Sequence, residues 1–289
     1  MSADADQRRL AIALALILGF MAAEVAAGVI AGSLVLLSDA AHMLTDAAAI
    51  GLALVAARLA RRPAQGSMTY GLGRAEILSA QFNGATLLVL GLLIVYEGVR
   101  RLVEPPDVPG WPLLVVAVAG IVVNLAAARV LAGAERRSLN VEGAFQHILT
   151  DLAAFIATAV AGVVILATGW VRADGVAALI VSAIMLRSAY GLLRASGRVF
   201  LEAAPVDIDV PALGRAMAAT PGVTEVHDLH VWEVTSGFPA LSAHVLVSAR
   251  QNCHDTRRAL ERLLYEEFAI EHTTLQVDHE GGDLLHIEV

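Results

Sequence analysis

The chain has 289 residues, 57% of them hydrophobic, with a mean hydropathy of +0.67. That is too apolar for an ordinary soluble protein of this length. The net charge of −8 argues against nucleic acid as a partner, and a single cysteine, Cys253, excludes an intrachain disulfide and a cysteine-based zinc ribbon.

A membrane-crossing helix needs about 20 mostly apolar residues. Six stretches qualify: 10–30, 34–59, 75–99, 112–131, 141–167 and 175–193. Residues 1–9 are polar and the first apolar run is itself span-length, so no cleavable signal is expected. The first two spans are joined only by a few residues around Ala31, Gly32 and Ser33, which predicts a tight helical hairpin. Arginine placement sets the orientation. Arg8, Arg9, Arg58, Arg61, Arg62, Arg74, Arg136, Arg137, Arg194 and Arg198 fall on one side of an even-span topology, against Arg100, Arg101 and Arg172 on the other. Both termini are therefore expected in the cytoplasm.

From Pro205 the pattern changes. Residues 211–219 and 254–268 have helical periodicity, while 226–234, 240–247 and 273–278 alternate like strands, the first two around a Ser236-Gly237 turn. Residues 284–289 are read as a further edge strand. The order α-β-β-α-β predicts a small α+β sandwich. The expected division is a six-helix transmembrane domain over 1–204 and a cytoplasmic α+β domain over 205–289.

Two short repeats sit inside the apolar spans, His42-Met43-Leu44-Thr45-Asp46 and His147-Ile148-Leu149-Thr150-Asp151. Residues i and i+4 of a helix share a face, roughly 5–6 Å apart. Each repeat can thus present an imidazole beside a carboxylate. Two such helices facing each other offer His42, Asp46, His147 and Asp151, a tetrahedral nitrogen and oxygen set suited to a divalent transition metal. Ionisable groups inside a membrane are costly and mark function. Asp39 is read as a vestibule group or a helix cap. Among the other polar residues of the spans, Gln81, Asn83, Asn124 and Gln146 are read as interhelical hydrogen-bonding groups, and Glu24 and Glu142 as candidates to line a hydrated path. There is no H-E-x-x-H and no G-x-x-x-x-G-K-[ST] sequence, so neither a metalloprotease nor an ATP-driven pump has support, and no enzymatic activity is expected.

Several segments together resemble the cation diffusion facilitator family of metal/proton antiporters. They are Ser38 to Asp46, Tyr70-Gly71-Leu72-Gly73-Arg74-Ala75-Glu76, Leu139 to Phe145, His147 with Asp151, Leu201-Glu202-Ala203-Ala204-Pro205, and His227-Asp228-Leu229-His230-Val231-Trp232. The resemblance implies six transmembrane helices, a cytoplasmic ferredoxin-like, metallochaperone-like domain, and a homodimer in the cell inner membrane. It implies transport through His42, Asp46, His147 and Asp151, with metal and protons as the exchanged partners. Zinc is the first-choice substrate, with cadmium or cobalt as alternatives, and no group is expected as a cofactor. It further implies cytoplasmic metal sites built from His227, His244, His254 and Asp278. A second membrane-edge site found in some relatives is not expected, because Gln65, Met68 and Leu72 occupy its positions. The competing reading is a membrane-anchored metal sensor without vectorial transport.

Overall fold

The computed structural model describes residues 3–31, 34–104, 110–134 and 138–280. The expected strand at 284–289 lies outside these residues. The chain divides into two compact units, Met1–Gly197 and Arg198–Val289.

The first unit is built from long helices: α1 (Ala3–Ala31), α2 (Leu34–Ala60), α3 (Arg74–Val103), α4 (Gly110–Ala132), α5 (Leu139–Thr168) and α6 (Ala173–Phe200), the last running just past the boundary. Five of them carry described stretches long and apolar enough to cross a membrane, at residues 6–26, 74–103, 114–132, 139–168 and 173–200. The remaining helix, α2, has 27 residues, about 40 Å at 1.5 Å per residue, which also suffices.

Helices α1, α2, α4 and α5 share one core, in which Leu10, Ile17, Ile50, Leu131 and Ile148 are fully buried. In a bilayer this grouping depends on close packing, because lipid tails solvate leucine as well as another helix does. Small residues supply the closeness. A Cβ added to Gly120 of α4 would lie 2.5 Å from the ring of Phe155 on α5, and that ring is itself held edge-on by Phe20 of α1, at a centroid distance of 6.5 Å.

Helices α3 and α6 pair by a different device. Gly84, Gly91 and Gly98 recur every seven residues on α3, and they receive Leu193, Leu186 and Leu179, also seven apart, from α6. The reversed order of the leucines makes the pair antiparallel. The heptad keeps the glycine holes on one face for nearly four turns. Leu87, Met185 and Ala189 fill the seam between them. Helix α5 stops at Gly169, whose φ of 70° is left-handed and whose N–H closes on the Ile165 carbonyl, a conformation that favours glycine.

The second unit contains α7 (Val210–Ala218), β1 (Val223–Thr235), β2 (Phe238–Val247), α8 (Cys253–Phe268) and β3 (His272–His279). This is the α-β-β-α-β order read from the sequence. Asp209 caps α7 by accepting the Ala212 N–H at 3.0 Å, and Asn252 caps α8 by accepting the His254 N–H at 3.0 Å. The sheet order is β1-β2-β3, with β1 antiparallel and β3 parallel to β2. One face of the sheet packs on the helices through Leu213, Met217, Leu241, Val245, Leu260 and Leu264. The other face carries no helix of this unit's core.

Placing a methyl group at Gly120 forces a clash with a ring that has little room to retreat. Gly120→Ala should cost about 1–3 kcal/mol, seen as a lower melting temperature of the detergent-solubilised protein with no change in its zinc affinity.

Candidate metal centre

The centre is made by two helices of the first unit. Asp46 on α2 and His147 and Asp151 on α5 each place a ligand-capable atom within 4.8 Å of the others. All three are buried, at 4%, 1% and 8% relative exposure, in helices otherwise lined with aliphatic residues. The i, i+4 spacing puts His147 and Asp151 on one face of α5, as the sequence predicts. The helix–helix packing then brings Asp46 of α2 to them. His147 Nε2 and Asp46 Oδ1 are 2.7 Å apart, a hydrogen bond joining α2 to α5. His147 Nδ1 has no partner among the described residues. His42 belongs to α2, one turn before Asp46, and its side chain, like that of Asp39, lies outside the described residues.

Asn140 anchors the same pair of helices from below. Its Nδ2 donates to the Ala53 carbonyl of α2 at 2.6 Å. The centre is thus held between two cross-links, one of side chain to side chain and one of side chain to backbone.

The amides of the spans behave less uniformly than expected. Gln81 accepts a short hydrogen bond from Ser196 of α6, and Gln146 Oε1 accepts one from Ser188 of α6 at 3.3 Å. These are interhelical, as predicted. Asn124 instead donates to Gly120 O of its own helix at 3.1 Å, using the second lone pair of a carbonyl one turn back. Asn83 has no partner for either amide atom among the described residues. Glu142 accepts from Gln146 Nε2 at 2.7 Å on its own helix, and Glu24 is 5% exposed.

A second cluster lies on the helix-free face of the sheet, where His227, Asp228 and His244 bring ligand atoms within 4.8 Å. The strand register explains it. His227 of β1 sits directly opposite His244 of β2, and their rings meet edge-on at 5.3 Å. The register then slips between His227 and His230. Asp228 occupies that bulge with a φ of +49°, and the bend swings its carboxylate to within 3.6 Å of His244 Nδ1. Glu225 Oε1 lies 3.3 Å from His227 Nδ1. Two imidazoles and a carboxylate fit zinc or a similar ion, leaving one tetrahedral position for another donor. Sequence reasoning named His227 and His244 but not Asp228. The signal available was the His227-Asp228-Leu229-His230 run, yet a regular strand would have turned Asp228 to the opposite face.

His254 and Asp278 are not in either cluster. His254 is exposed in the first turn of α8, and Asp278 of β3 accepts from Gln276 Nε2 at 2.8 Å. Gln276 does pair with His244 in the β2–β3 register, so Asp278 is two residues along the same face of the neighbouring strand. His230 faces Ser242 in the register. At the turn before α3, Gln65 and Met68 exchange backbone hydrogen bonds.

Residues 10–201 match the cation efflux transmembrane domain, and residues 205–280 match the cation efflux protein cytoplasmic domain. The chain belongs to the cation efflux family. Within it, the metal cation efflux system protein CzcD of Cupriavidus metallidurans is 39% identical over 94% of this chain and 87% of its own. A protein of Bacillus subtilis named as a cadmium, cobalt and zinc/H(+)-K(+) antiporter is 36% identical, covering 96% and 90%. The zinc transporter ZitB of Escherichia coli is 38% identical, covering 96% and 89%. In this family setting the long helices are integral to a membrane, and the α-β-β-α-β unit is the cytoplasmic domain.

Two outcomes follow from the geometry. Asp46→Asn keeps an acceptor for His147 but loses the charge. It should shift apo stability by less than about 1 kcal/mol, whereas Asp46→Ala strands a buried imidazole and should cost about 1–3 kcal/mol. Both should lower zinc affinity about 100-fold or more, read by calorimetry on the detergent-solubilised protein. In the cytoplasmic domain, zinc at about 100 times its Kd should stabilise by about 2.7 kcal/mol. The gain should appear as slowed hydrogen–deuterium exchange in β1 and β2 of the full chain, and His244→Ala should abolish it.

Proposed function

We propose that this protein exports divalent metal ions, zinc first and cadmium or cobalt as alternatives, in exchange for protons, through His42, Asp46, His147 and Asp151. The observation that carries this reading is the buried Asp46, His147 and Asp151 group, shared between two membrane-length helices. The names of the similar proteins, which include cadmium, cobalt and zinc, point the same way.

The exchange follows from the chemistry of the ligands. Zinc takes neutral imidazole and ionised carboxylate, so binding expels the protons those groups carry. One such proton lies in the Asp46–His147 hydrogen bond. When zinc takes its place, both atoms become ligands. Tetrahedral coordination with bonds of 2.0–2.1 Å needs about 3.3 Å between ligand atoms, whereas the hydrogen bond holds them at 2.7 Å. Loading must therefore spread this contact, which joins α2 to α5, by about 0.6 Å. A hydrogen-bonded empty site and a wider loaded site give the ion its differential affinity for two arrangements, which is what couples binding to a conformational change.

Charge balance fits the same scheme. Two carboxylates neutralise one divalent ion, and two protons neutralise the same carboxylates, so neither form leaves net charge in the membrane. The arginine distribution supports an inner-membrane orientation with both termini in the cytoplasm. The division at 1–204 and 205–289 assigns transport to the first part, and metal capture and homodimerisation to the second.

The test is zinc flux in proteoliposomes containing an internal pH dye. Wild-type protein should move zinc against an imposed proton gradient with matching proton counterflow. Asp151→Ala should abolish both while the protein remains folded. Zinc binding without flux would make the protein a membrane-anchored sensor instead.

A further inference from the structure

Helices α3 and α5 meet along a seam of polar side chains that the metal centre does not use. The seam begins at the N-terminal ends of the two helices, where Ser138 donates to Glu76 Oε2 at 2.7 Å. Seven residues further along α3 lies Asn83, whose Nδ2 is 3.6 Å from where a Cβ of Gly143 would sit on α5. Position 76 thus meets 138 and position 83 meets 143, so the helices run parallel. Ser79 lies one turn before Asn83 on α3, and Asn140 lies one turn before Gly143 on α5. His147 follows one turn after Gly143 on the same α5 face.

These side chains are buried, at 2% exposure for Ser79, 0% for Asn83 and 0% for Asn140. Ser79 Oγ, both amide atoms of Asn83, Asn140 Oδ1 and His147 Nδ1 have no hydrogen-bond partner among the described residues. Other span amides reach neighbours, as Gln81 and Gln146 do. Burying unmet polar atoms in a membrane interior carries a cost that leucine at the same positions would not. Gly143 adds a further sign. Its missing side chain leaves Asn83 beside α5, where a Cβ would also lie 3.2 Å from Leu192.

We propose that this α3–α5 seam is the route by which the metal ion passes between the N-terminal ends of the two helices and the Asp46, His147 and Asp151 centre. Ser79, Asn83 and Asn140 take the place of hydration water along it. The proposal rests on the reading of that centre as the transport site. The groups suit transit better than binding. They are neutral oxygen and amide groups, which replace part of a hydration shell without the charge that would trap a divalent ion. Asn140 and His147 are seven residues apart, about 10 Å along the helix axis, and Asn83 stands between them beside Gly143. Asn140 spends its Nδ2 on the α2 backbone, which leaves its Oδ1 as the group offered to a cation.

The test uses the full chain in proteoliposomes, in a Cys253→Ser background that leaves no other thiol. Ser79→Cys should react with a cationic, water-soluble thiol reagent about tenfold faster or more than Phe82→Cys, which sits on the outer, 57% exposed side of α3. Zinc should slow the Ser79→Cys reaction. Asn83→Leu should reduce zinc flux by about tenfold or more with unchanged equilibrium zinc affinity in detergent, and Asn83→Ser should restore the flux. Equal reactivity of Ser79→Cys and Phe82→Cys overturns the route, and does so even if Asn83→Leu fails to fold. Normal flux in Asn83→Leu alongside lost flux in Asp151→Ala overturns the route alone. Normal flux in Asp151→Ala overturns the centre itself.

Discussion

The transmembrane unit depends on one buried contact, the 2.7 Å hydrogen bond between Asp46 of α2 and His147 of α5. In a bilayer, apolar side chains give helices little reason to prefer each other over lipid. A carboxylate and an imidazole left apart there would each be costly. Pairing them fixes both the rotation of α2 and α5 and their depth relative to each other. Asn140, reaching the Ala53 carbonyl, sets the same pair a second time two turns away. In the proposed exchange, the contact that holds α2 to α5 is also the one that the metal ion replaces, so stability and function meet in the same two side chains.

The rest of the unit is arranged around that requirement by shape. Glycine holes and leucine knobs repeat every seven residues between α3 and α6, which gives a long, regular interface that ends in an ion pair between Arg101 of α3 and Asp174 of α6. The core of α1, α2, α4 and α5 is aliphatic, with Gly120 allowing α4 to close on Phe155 of α5. The unmet polar atoms of Ser79, Asn83 and Asn140 fall between these two regular groups, where α3 meets α5. On the proposed route these unmet polar atoms fall where the ion passes, and close packing holds the helix pairs on either side.

The cytoplasmic domain solves a related problem with strands. Antiparallel pairing puts His227 opposite His244, and the bulge at Asp228 adds a carboxylate that a regular strand would have sent into the core face. The helices cover one side of the sheet only, so the imidazoles stay half-exposed and open to an ion from solution. The membrane centre is enclosed by aliphatic neighbours, whereas this one is open. That difference suits an ion that must be confined during transport in one place and gathered from water in the other.

Much of this was written in the sequence, because hydropathy, spacing and charge act locally. Twenty-residue apolar runs determine spanning helices whatever they pack against. The i, i+4 spacing of His147 and Asp151 determines a shared helix face, and alternation located β1, β2 and β3, with ends that the structure extends by up to three residues. What depended on partners far away in the chain could not be read there. Interhelical bonding was expected of all four span amides, but Asn124 turned back to the Gly120 carbonyl of its own helix, and Asn83 has no partner among the described residues. Asp228 joined a metal cluster only because a bulge reversed its direction. His254 and Asp278, chosen by likeness of motif, stand apart from the His227 cluster, since motif position does not fix distance across a sheet. The sequence by itself determined which segments are long and apolar enough to cross a membrane and that His147 and Asp151 share a helix face, since both follow from residue type and period. The tertiary structure alone decided that Asp46 meets His147 and that Ser79, Asn83 and Asn140 line one seam, because helix packing sets those distances.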